Sequence, residues 1–135
     1  MLFRTLFLST LSVLCLSLVS VKDCSTPSAL FSLKALDISP SNPVPGENGT
    51  LHMTYFAPED LAGGTVDYTC TLNGFPVLKE SYDLCTATTC PITVGEHDQK
   101  GLVETPDTKG TLGCSLKWSD SAKRELLCVK ITYVK

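Results

Sequence analysis

Apolar and polar residues alternate with period two along much of the chain, and such alternation marks β-strands. The clearest run is TLGCSLKW, where Leu112, Cys114, Leu116 and Trp118 share one face and Thr111, Gly113, Ser115 and Lys117 the other. TVDYTCTL repeats the pattern with Val66, Tyr68, Cys70 and Leu72 in phase. LHMTYF offers Leu51, Met53 and Tyr55 before Phe56 interrupts the phase, and LLCVKITYV closes the chain with Leu127, Val129, Ile131 and Tyr133. A weaker pattern in LFSLKALDI, residues 30–38, predicts the first strand. SPSNPVPGENG reads as a long loop, and APEDLAGG, NGFP, TPDTKG and SDSAKR read as turns. No long helical period or internal repeat is visible. About seven short strands in one domain predict an all-β sandwich or barrel.

The opening MLFRTLFLSTLSVLCLSLVS follows another logic. Arg4 precedes an apolar run from Leu6 to Val19 broken only by Ser and Thr, and small Ser20 follows. This reads as a secretory leader over residues 1–20, ahead of a domain over 21–135, because the run is short and a polar, cysteine-bearing segment succeeds it. The compartment expected is therefore luminal or extracellular. Loss of Arg4 takes the formal net charge from −3 to −4. With no clustered basic face, a nucleic-acid partner is not expected.

The compartment decides the cysteine chemistry. Of seven cysteines, Cys15 lies in the leader; Cys24, Cys70, Cys85, Cys90, Cys114 and Cys128 remain. An even number in a small secreted domain predicts disulfides. Cys85 and Cys90 suit a covalent clasp on a turn. A zinc site needs further ligands, and His52 and His97 are the only histidines. Redox pairs favour two intervening residues, not four. Cys70 and Cys114 both lie on apolar strand faces and could pair inside. A bridge between Cys24 and Cys128 would close a loop of about a hundred residues, worth up to ~4–5 kcal/mol. Asn48-Gly49-Thr50, in the Pro/Gly loop, is an N-glycosylation sequon. No metal, cofactor or catalytic residue is expected, because neither a nucleophile motif nor a paired-carboxylate spacing is present.

Three segments in order carry a family resemblance: DCSTPSALFSLKALDISP, then NGFPVLKESYDLCTATTCPITVG, then LKWSDSAKRELLCVKITYV. The most specific part is Gly74, Pro76 and Val77 followed by Cys85, Cys90, Pro91 and Ile92, in order with Trp118 and Cys128. The chain resembles the ML lipid-recognition family across essentially the whole mature sequence. That family includes the small secreted Niemann–Pick type C sterol carrier, the group-two mite allergens and fungal phosphatidylglycerol/phosphatidylinositol transfer proteins. The resemblance implies an immunoglobulin-like sandwich of two antiparallel sheets that part to hold a lipid. It also implies bridges Cys24–Cys128 and Cys85–Cys90, which leaves Cys70 to Cys114. The sequence departs from the family in having no cysteine between Cys24 and Cys70, where relatives carry a second small loop bridge.

The function this implies is a non-enzymatic carrier of a sterol or phospholipid, secreted or in the lumen of a lysosome, vacuole or endosome. It would act as a monomer, with transient contact to a membrane or acceptor protein. Candidate lipid-binding residues are Phe56, Phe75, Val77, Leu78, Tyr82, Val103, Leu116 and Trp118. Val77 and Leu78 rest on the resemblance; the others rest on apolar phase, which ordinary core packing explains equally well. Lys79, Lys123 and Arg124 are exposed by pattern and available to an anionic headgroup. The alternative is an immunoglobulin-like module that binds a receptor, or presents a lipid to one, without transfer. The Tyr-x-Cys at Tyr68 and Cys70 favours that reading. The position of Trp118 after Cys114 counts against it, since the immunoglobulin pattern places a Trp between its core cysteines.

Overall fold

The computed structural model describes residues 18–44, 46–107 and 109–135. Eight strands and one short helix follow in the order β1 (Leu18–Asp23), β2 (Ser32–Ser39), β3 (Asn48–Ala57), β4 (Gly64–Leu72), β5 (Phe75–Asp83), α1 (Leu84–Ala87), β6 (Gly95–Glu104), β7 (Thr111–Asp120) and β8 (Glu125–Val134). They form a five-stranded sheet, β1-β8-β7-β4-β5, facing a three-stranded sheet, β2-β3-β6. All pairings are antiparallel. Among the described residues no helix is long and apolar enough to cross a membrane.

Period two places the core. Leu51, Met53 and Tyr55 of β3 face Val66, Trp118, Leu127, Val129 and Ile131 of the larger sheet, and all are buried. Phe56 does not break the alternation, as the sequence suggested. It takes its turn on the outer face while Ala57 returns inward. The interior is densest around three aromatic rings. Phe31 stacks on Tyr55 at 4.9 Å between centroids, and Trp118 meets Tyr55 edge-on at 5.7 Å. Leu61, Leu84 and Ile92 join the same core cluster.

The leader expected over residues 1–20 lies outside the described residues as far as position 17. Leu18, Val19 and Ser20 belong to β1, where they pair with Val134, Tyr133 and Thr132 of β8. Val19 is buried.

Local chemistry explains the turns. Asn73 and Gly74 both take positive φ, at 50° and 88°, which gives the tight β4–β5 hairpin its mirror-image turn. Asn73 Oδ1 also accepts from the Thr111 amide at 2.9 Å, tying the hairpin tip to the start of β7. Asn48 opens β3 instead of sitting in the preceding loop, and it remains exposed.

Asp120 organises the β7–β8 turn although it is only 6% exposed. Its Oδ1 accepts from the Ala122 and Arg124 amides, and its Oδ2 accepts from Arg124 Nε at 2.6 Å. Arg124 Nη2 reaches Glu59 at 2.7 Å. Burial alone would raise the Asp120 carboxyl, but hydrogen bonds from the Arg124 backbone and side chain, with the guanidinium charge, outweigh it and hold the pKa below its ordinary value. The stabilisation is therefore complete above the ordinary carboxylate range and is lost as pH falls through the lowered value. Asp120→Asn should cost about 1–2 kcal/mol at neutral pH. The gap to the unsubstituted protein should close below about pH 4, as read by urea titration across pH.

Candidate functional site

The two sheets are tethered at one side and part at the other. β1 packs against β2, whereas β5 and β6, the facing edge strands, border an opening between the layers. The space behind that opening is a cavity of about 390 Å³. Its walls include Leu51 and Met53 of β3, Tyr68 of β4, Val103 of β6, and Leu116 and Trp118 of β7. A second cavity of about 450 Å³ shares Tyr68 and Glu104 with the first and adds Val77, Leu78, Leu112 and Tyr133. Both volumes fall within the range of small-molecule sites.

Register explains which side chains meet there. Across the inner face of the larger sheet run the rows Tyr82–Val66–Trp118–Leu127, Glu80–Tyr68–Leu116–Val129 and Leu78–Cys70–Cys114–Ile131. A bulge beside Cys70 and Thr71 inserts one extra residue into β5. Both Val77 and Leu78 consequently border the second cavity, since a bulge re-aims the side chains next to it.

The polar groups are few. Burial raises the Tyr68 phenol, and Tyr82 and Glu80 add to the rise. Tyr82 is raised by burial and then by Glu80. Tyr133 is pushed up to about 12 by burial, with Tyr68 contributing. All three phenols therefore keep their protons and remain hydrogen-bond donors at any physiological pH. Trp118 is 1% exposed, and its indole Nε1–H has no hydrogen-bond partner among the described residues.

The short loop between β5 and β6 is fixed to this site from three directions. The Cys85–Cys90 bridge closes it, and the Asp83 carboxylate caps α1 by accepting from the Cys85 amide at 2.9 Å. Gln99, on the inward face of β6, donates to the Ala87 carbonyl and accepts from the Thr88 hydroxyl, each at 2.9 Å. The clasp thus holds α1 against the wall of the cavity, which Ala87 also lines. The other bridges are Cys24–Cys128, joining the end of β1 to β8, and Cys70–Cys114, directly opposite each other on β4 and β7.

Of the residues singled out from sequence, Tyr82, Val103, Leu116 and Trp118 line the first cavity, and Val77 and Leu78 the second. Two need correction. Phe56 points to the outer face of β3, and Phe75, 74% exposed at the β4–β5 hairpin, borders neither cavity. Phe75 pairs with Leu72 beside the two-residue turn, so it lies at the hairpin end, past the residues that line the second cavity. Arg124 is also not a free cation, being held by Asp120 and Glu59. Leu51, Met53, Tyr68, Glu80 and Tyr133 line the cavities without having been singled out. Tyr68 stands in phase between Val66 and Cys70, and Glu80 between Leu78 and Tyr82, so strand phase was the available signal. Among the described residues no cluster of three or more metal-type ligands forms.

Comparison with known proteins agrees with this architecture. The Niemann-Pick type C2 protein from Japanese carpenter ant superposes with a TM-score of 0.65 at 16% identity, covering 86% of this chain and 99% of the ant protein. Chicken MD-1 complexed with lipid IVa gives 0.66 at 14% identity, covering 87% and 88%. In sequence, putative phosphatidylglycerol/phosphatidylinositol transfer proteins 3 and 1 of Dictyostelium discoideum are 30% and 27% identical over 81 residues, 58% of this chain. The chain spans about half the length of these curated relatives, 54% of each. Residues 18–134 match the ML domain, from the first residue of β1 to the last of β8. With that match over nearly its whole length, the chain belongs to the ML domain family.

Proposed function

We propose that the protein binds the apolar part of a single lipid between its two sheets and carries it to a membrane or acceptor protein, without covalent chemistry. The observation that carries this reading is the parting of β5 from β6 over a cavity whose walls are mainly apolar. A sandwich interior about 10 Å thick is normally filled by its own side chains. Membership of the ML domain family, a relative named as a lipid transfer protein and a structural neighbour solved with lipid IVa all support it. Burial of an acyl chain supplies ~0.8 kcal/mol per methylene. A bilayer offers nearly the same, so exchange is close to thermoneutral and reversible, as a shuttle requires.

The disulfides suit an oxidising compartment, so the reading places the protein outside the cell or in a secretory or lysosomal lumen. Removal of the leader after Ser17, with small Cys15 two residues before it, would keep β1 whole. Cleavage after Ser20 would remove half of β1. The intact mass of the secreted protein, before and after glycosidase, reads both the N-terminus and the occupancy of Asn48.

The function is tested by transfer of fluorescent sterol and fluorescent phospholipid between vesicles, with native mass spectrometry of the purified protein. One lipid per chain and protein-dependent transfer are expected. Binding without transfer would favour a presenting module. If the folded, delipidated protein binds neither class, the carrier reading is wrong.

A further inference from the structure

We infer that Glu80 makes the cavity selective for lipids whose polar end is an uncharged hydroxyl, as in a sterol, and turns anionic phospholipids away. The inference rests on the carrier reading and narrows it. Glu80 lies opposite Tyr68 and between Leu78 and Tyr82 in phase, so its carboxylate stands on the inward face of β5 at the rim of the apolar cavity. β5 is an edge strand exposed along its length, which keeps the carboxylate hydrated when the cavity is empty.

The charges around both cavities are Glu80, Glu104, Asp107 and Lys100. Asp107 is matched by Lys135 at 3.1 Å. Among the described residues neither Glu80 nor Glu104 takes part in an ion pair. Lys100 sits opposite His52 and so alternates away from the inward face of β6. The cations that the sequence suggested for a headgroup do not supply the balance: Lys123 lies in the β7–β8 turn and borders neither cavity. Lys79 lies on the other face of β5 from Glu80, and Arg124 is engaged by Asp120 and Glu59. A phosphate entering here would meet carboxylate without a compensating guanidinium, the group that phosphate sites employ. A hydroxyl fits instead. It donates a charge-assisted hydrogen bond to Glu80 and accepts from the protonated phenols of Tyr68 or Tyr82.

The test compares uptake of dehydroergosterol and of fluorescently labelled phosphatidylglycerol from neutral vesicles by the unsubstituted protein, Glu80→Gln and Glu80→Lys. The unsubstituted protein should favour the sterol at least about tenfold, the scale of one partly solvated charge. Glu80→Lys should raise phosphatidylglycerol uptake by about tenfold and lower sterol uptake, and the contrast should shrink at high salt. Glu80→Gln, isosteric on an exposed edge, should lie between. Equal uptake of both lipids, or a preference unmoved by Glu80→Lys, overturns the role of Glu80 and leaves the carrier reading standing. Uptake of neither lipid by the folded protein overturns both.

Discussion

Leu116→Asp should abolish lipid uptake and leave the sandwich folded. Leu116 stands on β7 between Tyr68 and Val129, in the middle of the inner face of the larger sheet, and lines the first cavity. In the empty protein a carboxylate there faces the open space between the sheets and keeps its water. A lipid must strip that water, and among the described residues the one cation bordering this cavity, Lys100, alternates away from its interior. Burying an unpaired charge costs several kcal/mol, and even ~3 kcal/mol lowers affinity more than a hundredfold. Leu116→Met, of similar volume, should bind as the unsubstituted protein does. Uptake of fluorescent lipid, with circular dichroism to establish folding, separates the outcomes. Unimpaired uptake by folded Leu116→Asp would show that lipid binds elsewhere.

The largest effect on stability is expected from removing Cys24–Cys128. The bridge spans 104 positions, so in the chain-entropy treatment Cys24→Ala with Cys128→Ala loses about 4–5 kcal/mol. Opening Cys85–Cys90, separated by only 5, loses about half as much. The long bridge also anchors an edge. β1 pairs with β8, and Cys24 N donates to the Cys128 carbonyl at 3.0 Å beside the bridge. The Cys128 amide returns a hydrogen bond to Ser25 Oγ at 2.9 Å. Urea unfolding of the two double variants measures both losses. A larger loss from opening the short clasp would contradict this ordering and place the main constraint at the α1 loop.

The strands legible in the sequence are those whose inner face packs. β3, β4, β7 and β8 alternate cleanly because Leu51, Met53, Val66, Trp118, Leu127 and Val129 all meet the opposite sheet. β5 and β6 show no such alternation in the sequence, and their position explains why. They border the opening, so their inward residues include Glu80, Gln99 and Gly101 instead of a row of aliphatics. The elements that make the site therefore carry the weakest hydrophobic period. β1 was hidden for another reason. Leu18 and Val19 extend the apolar run of the expected leader, and composition cannot distinguish the end of one from the start of the other. The site residues divide likewise. Leu116 and Trp118 follow from phase and Val77 from the family motif, whereas Phe75, in phase with Leu72 across the hairpin, lies at the exposed turn beyond both cavities, a distance that phase does not encode.

An opening between two edge strands also leaves their outer backbone groups without strand partners, a template on which a second chain could add. β5 carries several obstacles to that addition. Pro76 has no N–H to offer, the bulge at Val77 breaks the regular spacing, and Lys79 and Glu80 place opposite charges on its two faces. β6 presents Glu96, Asp98 and Lys100 along its outer face. A tidier, more apolar edge would invite neighbouring molecules to zip together into fibrils whenever the slot stood empty. The irregular, charged rim disfavours such edge-to-edge zipping while the space between the sheets is empty.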